Sequence, residues 1–83
     1  MKVLKFYAEW CGPCKAMTQV IKNASDKITI PVEEIDIDAE IMTSVEYGVR
    51  SVPTMILVDE NGTELKRQVG AMNETQLLDF LKV

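Results

Sequence analysis

Apolar and polar positions along the chain recur with two different periods. "KVLKFYA", residues 2–8, is mostly apolar with β-branched and aromatic members, the pattern of a strand covered on both faces. From Pro13 the spacing turns helical, with Met17, Val20, Ile21, Ala24 and Ile28 forming one apolar stripe. Pro13 suits a first helical turn, where its missing N–H is not needed. "PVEEIDID" predicts a second strand, and Asp38 the cap of a short helix over "AEIMTSVEY" that Gly48 ends. After Pro53, "TMILV" predicts a third strand. "DENG" carries an Asn-Gly turn signal, and "TELKRQV" alternates Leu65 and Val69 with Glu64, Lys66 and Gln68, as an outer hairpin strand does. Asn73 followed by Gln76 resembles a capping box that opens a last helix burying Leu77, Leu78 and Leu81. The order β-α-β-α-β-β-α predicts an α/β fold, a four-stranded mixed sheet with helices on both faces.

Length and charge narrow the function classes. With 83 residues and 47% hydrophobic content, the core is large enough for one domain, residues 1–83. Net charge is -4 with Lys and Arg dispersed, which argues against a nucleic-acid partner held through its phosphates. No apolar run approaches the roughly 20 residues of a membrane span. Lys2 and Lys5 flank only two apolar residues, too few for a signal peptide. The expectation is a cytoplasmic protein, a monomer, with no membrane partner.

The chemistry-bearing residues are Cys11 and Cys14, the only cysteines in a chain with no histidine. A bridge between them closes so short a loop that it removes little entropy from the unfolded chain. A zinc site needs about four thiolate or imidazole ligands, so any metal or iron–sulfur site would need a second chain. The remaining readings are a pair of small buried hydrophobes or a reacting dithiol. Placement at a strand-to-helix junction favours the dithiol, because a thiolate at a helix N-terminus is stabilised by oriented N–H groups and the dipole. Cys11 is then the nucleophile, and Cys14, a helical turn on, can displace a partner held as a mixed disulfide. Gly12 removes bulk from the approach and Trp10 supplies an apolar wall beside it.

The segments "FYAEWCGPCK", "YGVRSVPT" and "VGA", in that order, make the chain similar to the thioredoxin family. The resemblance implies a protein-disulfide reductase or dithiol electron carrier, with Cys11 attacking and Cys14 resolving. It makes Pro53 a cis-proline facing the dithiol, with Val52 offering backbone to an extended substrate. Gly70 lets the target chain approach, beside Trp10, Gly12 and Pro13. No bound organic cofactor is implied. Electrons come from NADPH-thioredoxin reductase or from glutathione, and the partners are protein disulfides. A glutaredoxin-like enzyme recharged by glutathione is the alternative, and a non-catalytic binding module on the same fold a lower-ranked one.

Departures from the family pattern add further expectations. Thioredoxins usually begin with an additional strand and helix, so the chain reads as a shortened, glutaredoxin-sized thioredoxin lacking both. Its second strand then lies at the sheet edge, where Glu33, Glu34 and Asp36 discourage pairing with other chains. Lys5 stands at the family's buried aspartate and Glu34 at the usual lysine of the adjacent strand. The resemblance therefore implies an ion pair of reversed polarity, with Glu34 accepting a proton from Cys14 and Lys5 stabilising sulfur anions. The plainer alternative lays the Lys5 stem along apolar surface with its ammonium in water. Gln19 replaces the proline that usually follows the dithiol, which leaves the helix less reason to kink.

Overall fold

Val3, Leu4, Lys5 and Phe6 are all buried, so the first strand is covered on both faces, as its nearly unbroken apolar run predicts. The computed structural model describes residues 1–82 and places β1 at Lys2–Tyr7, α1 at Gly12–Asn23 and β2 at Val32–Asp36. They are followed by α2 at Ile41–Glu46, β3 at Thr54–Val58, β4 at Glu64–Val69 and α3 at Glu74–Phe80. The sheet order is β2-β1-β3-β4, with β1 and β2 parallel and the other pairs antiparallel. This is the predicted mixed sheet of the thioredoxin-like fold, and β2 lies at an edge.

Alternation along the strands separates two apolar layers. Val3, Met55 and Leu57 pack with Met17 of α1 and with Met72 and Leu77 at α3. On the opposite face Leu4, Phe6, Ile35, Ile56 and Val58 pack with Tyr47, Val49 and Val52, which follow α2. The Phe6 and Tyr47 rings lie 5.9 Å apart, tilted by 57°.

Several local expectations change. Helix α1 ends at Asn23, and Ile28 lies beyond a 3₁₀ turn at Ser25–Lys27, still packed on the core. The residue preceding α2 is Glu40, which makes no side-chain cap, so Asp38 is not that cap. A nearer partner takes it, since its carboxylate accepts from the Trp10 indole at 3.0 Å. Leu65 and Val69 do alternate on β4 but remain exposed. They share the α2 side of the sheet with Arg67, and there the Arg67 guanidinium makes the contact to the end of α2 by donating to the Tyr47 carbonyl. The Lys66 side faces α3 instead, where its ammonium donates to the Phe80 carbonyl at 3.2 Å and to the Lys82 carbonyl. A cation there satisfies carbonyls that a helix end leaves unpaired.

The capping box of α3 forms as predicted. The Asn73 side chain accepts from the Gln76 N–H at 2.8 Å, and the Gln76 side chain accepts from the Asn73 N–H at 3.0 Å. Asn73→Ala leaves the Gln76 N–H to water and is expected to destabilise the fold by about 1 kcal/mol, read as a lower urea midpoint at unchanged slope.

Candidate active site

Strand β1 delivers the chain into a turn closed by the Cys11 N–H on the Ala8 carbonyl at 3.1 Å, and α1 starts one residue later. Cys11 is itself the N-cap. Its Sγ accepts from the Cys14 N–H at 3.1 Å, the position a Ser or Asp oxygen takes in an ordinary cap. Pro13 falls in the first turn, as expected. Cys11 and Cys14 are joined as a disulfide with a Cα–Cα distance of 5.3 Å, and both are buried against Ala8 with Tyr7, Ile37 and Val52 beside them.

Other candidate residues converge on this pair from three loops. The Val52–Pro53 bond is cis, and Pro53 is fully buried. The Val52 carbonyl oxygen lies 3.7 Å from Cys11 Sγ. The Thr54 hydroxyl donates to the Ser51 carbonyl at 2.7 Å and fixes this loop at its entry into β3. Gly70 donates its N–H to the Pro53 carbonyl at 2.9 Å, which ties the end of β4 to the same loop. Its φ of 96° is the reason for glycine there, since a Cβ would meet nothing within 4 Å. Gly12 is also open in front. Trp10 is 70% exposed, and its bond to Asp38 holds it at the rim.

Behind the disulfide lies a polar network that the strand register dictates. Lys5 pairs with Glu34 across the parallel β1–β2 ladder, so both side chains leave the sheet on the α1 side. The Lys5 ammonium is 3.2 Å from the Glu34 carboxylate and also donates to the Thr18 hydroxyl. Thr18 in turn donates to the Cys14 carbonyl at 3.1 Å. Lys5 is 1% exposed, which overturns the alternative of an ammonium in water, whereas the Glu34 side chain is 52% exposed. A buried cation must be paired and hydrogen-bonded to persist, and here both conditions are met. The Tyr7 ring adds a face 5.6 Å from the ammonium.

Cys14, Thr18 and Glu34 line one open cleft of about 420 Å³, together with Tyr7, Glu9 and Lys15. The Tyr7 phenol is pushed up by burial and by the carboxylates of Asp36, Glu34, Glu9 and Glu40, so it stays neutral at working pH. Thr18 and Asp38 are the residues that sequence reasoning missed here. Thr18 was accessible as the i+4 neighbour of Cys14 on a helix, but Asp38 meets Trp10 only through tertiary structure. Among the described residues no group of three or more His, Cys, Asp or Glu is placed to hold a metal ion.

With that geometry established, comparison with known proteins decides the family, because the thioredoxin family model matches residues 1–83. The chain belongs to the thioredoxin family. It is 36% identical over 81 residues to the thioredoxin of Haemophilus influenzae and 37% identical over 81 residues to that of Rickettsia conorii. These matches cover 95% of the chain and 75% and 76% of the two relatives. Among solved structures it is similar to a Halobacterium salinarum thioredoxin carrying one asparagine-to-glutamine substitution. The TM-score is 0.85 at 32% identity, over 98% of this chain and 74% of that one. A thioredoxin 1 from Thermosipho africanus gives a TM-score of 0.82 at 27% identity, over 98% and 90% of the two chains.

The expectation of a shortened, glutaredoxin-sized thioredoxin without the N-terminal strand and helix is corrected by these matches. The thioredoxin family model runs along the whole chain, which opens on a strand, β1, and a helix, α1. Residue spacing ahead of the cysteines was too indirect a measure of domain size. With a disulfide-forming C-x-x-C pair in this fold, the activity is thiol–disulfide exchange of the thioredoxin type, that of a protein-disulfide reductase and dithiol electron carrier.

Proposed function

We propose that Cys11 is the attacking and Cys14 the resolving cysteine of a protein-disulfide reductase formed by a single thioredoxin-like domain, residues 1–83. The observation that carries this order is the Cys14 N–H aimed at Cys11 Sγ at the N-cap of α1. That donor and the helix dipole lower the energy of a Cys11 thiolate, which is the nucleophilic form. The thiolate attacks one sulfur of the target disulfide, and the S–S bond breaks with release of a target thiolate. Cys14, once deprotonated, attacks Cys11 Sγ and expels the second target thiolate. Two electrons and two protons have then passed to the target, and the Cys11–Cys14 disulfide remains.

Trp10, Gly12, Pro13, Val52, Pro53 and Gly70 form the substrate groove of this reading. Val52 offers its carbonyl, already 3.7 Å from the attacking sulfur, as an acceptor for an extended target chain. The open space before Gly12 and Gly70 leaves room for that chain. The partners are protein disulfides and a reductase, with NADPH-thioredoxin reductase supplying the electrons in a reducing, cytoplasmic setting.

Glu34 is the proton acceptor for Cys14 in this scheme, and Lys5 stabilises the sulfur anions that form beside it. The cleft that Glu34 shares with Cys14, and the hydrogen bonds that run from Lys5 through Thr18 to the Cys14 carbonyl, support the assignment. Glu34→Gln is expected to slow the resolving step roughly tenfold and to move its rise with pH toward alkali, because Cys14 must then lose its proton to solvent. Glu34→Asp should recover part of the rate. Stopped-flow release of the second target thiol across pH reads both, and an unchanged profile removes Glu34 from the role.

The overall test is steady-state reduction of insulin disulfides with two electron supplies, NADPH with thioredoxin reductase and glutathione with glutathione reductase. Turnover with the first supports the proposal. Turnover with glutathione alone transfers the protein to glutathione-recharged exchange.

A further inference from the structure

Helix α2 is amphipathic in the wrong sense for a helix resting on a sheet. Its inward side presents Ser44, which is buried and donates to the Glu40 carbonyl at 3.1 Å. Its outward side presents Ile41, Met42 and Val45, at 60%, 70% and 66% exposure. Ile41 and Val45 are four residues apart and stack on one face, with Met42 beside them. A helix of 6 residues gains nothing in folding from apolar side chains in water, so folding does not account for them.

The helix is tied to the reacting end of the molecule. Asp38, in the turn leading to α2, accepts from Trp10, the neighbour of Cys11. The turn that leads into α2 is therefore anchored beside the reacting pair. The stretch of chain that carries α2 is mainly acidic, with the Arg67 guanidinium donating to the Tyr47 carbonyl at the C-terminal end of α2. From Asp36 to Val58 the chain bears Asp36, Asp38, Glu40 and Glu46 and a single cation, Arg50, and Glu9 flanks Trp10.

The geometry points to the α2 face as a docking surface for the disulfide-bearing substrate protein itself, selecting targets with an apolar segment flanked by Lys or Arg beside the reactive disulfide. This rests on the dithiol reading above and deepens it by naming a substrate class. Apolar contact retains the target, while the carboxylate rim attracts cationic flanks and turns away acidic ones. The dithiol itself needs neither, so a small neutral disulfide reacts without using the face.

The test compares single-turnover oxidation of the reduced protein by two disulfide-bridged peptides, one with Lys-Leu flanks and a twin with Glu-Leu flanks, using hydroxyethyl disulfide as a small reference. Quenched samples are resolved by mass spectrometry. The cationic peptide is expected to react about tenfold faster than its twin at low salt, with the gap closing at high salt. Ile41→Ser/Met42→Ser/Val45→Ser is expected to lower the rate on the cationic peptide, relative to the small disulfide, by about tenfold. Glu40→Lys/Glu46→Lys, which leaves the apolar face intact, should reverse the peptide preference.

Equal rates for the two peptides, or an unchanged ratio in the triple variant, would overturn the proposal. So would a triple variant impaired only in re-reduction by thioredoxin reductase, since the reductase would then be the occupant. A wild-type dimer that the triple variant dissolves would assign the face to a second copy and overturn it as well. Failure of the wild-type protein to react even with hydroxyethyl disulfide would remove the dithiol reading and this one with it, an outcome distinct from all the others.

Discussion

Cys11→Ser is expected to reduce insulin turnover to the uncatalysed background, whereas Cys14→Ser retains the first chemical step and stops there. The contrast follows from the geometry. A serine hydroxyl at the N-cap of α1 accepts the Cys14 N–H well enough to keep the helix, yet it is a poor nucleophile toward sulfur. In the Cys14 variant the attacking thiolate is intact and the mixed disulfide has no internal sulfur to release it. That variant should accumulate a one-to-one covalent adduct with the target, visible by mass spectrometry under non-reducing conditions. Adduct formation through Cys14 in the Cys11 variant, at a comparable rate, would reverse the assigned order.

Phe6→Ala has the largest expected effect on the fold. Phe6 is fully buried on the α2 side of the sheet, against the Tyr47 ring and the layer formed by Leu4, Ile35, Ile56 and Val58. Removing such a ring from a packed core costs about 3–5 kcal/mol, because the cavity relaxes only in part. A domain of this length has a total stability on the order of 4–12 kcal/mol. The variant should melt about 15 °C or more below the parent, measured by far-UV circular dichroism at matched concentration. A loss under about 1 kcal/mol would show that the α2 layer repacks freely and does not anchor the strand that carries Cys11.

Fold class and the reacting pair were legible because they rest on local signals. The strand run ending at Tyr7, the helical stripe from Pro13 and the Asn73–Gln76 box each specify an element without reference to the rest of the chain. What failed depended on who else was near. Asp38 has the chemistry of a cap, but its carboxylate went to Trp10, 28 residues away in sequence. Leu65 and Val69 have the alternation of a strand with one buried face, yet the contact from that side of β4 to the end of α2 runs through Arg67 and both apolar side chains stay exposed. Lys5 shows the same limit from the other direction. Alignment to the family suggested its partner, but only the parallel register with Glu34 and the crossing of α1 above it determine that the ammonium is buried. The 3₁₀ turn after α1 left no signal in the apolar spacing, since Ile28 packs on the core from either conformation.

The bonds from Lys66 to the Phe80 and Lys82 carbonyls join β4 to the far end of α3. Gly70 sits on the connection between those two elements and holds the Pro53 loop through its N–H. The hairpin strand and the last helix are thereby tied together, and local opening of such segments governs slow amide exchange. Protection of the Gly70 amide in hydrogen–deuterium exchange is then expected to depend on Lys66, four residues earlier in the chain, so the wall of the groove facing the dithiol is held in part by a contact outside the groove.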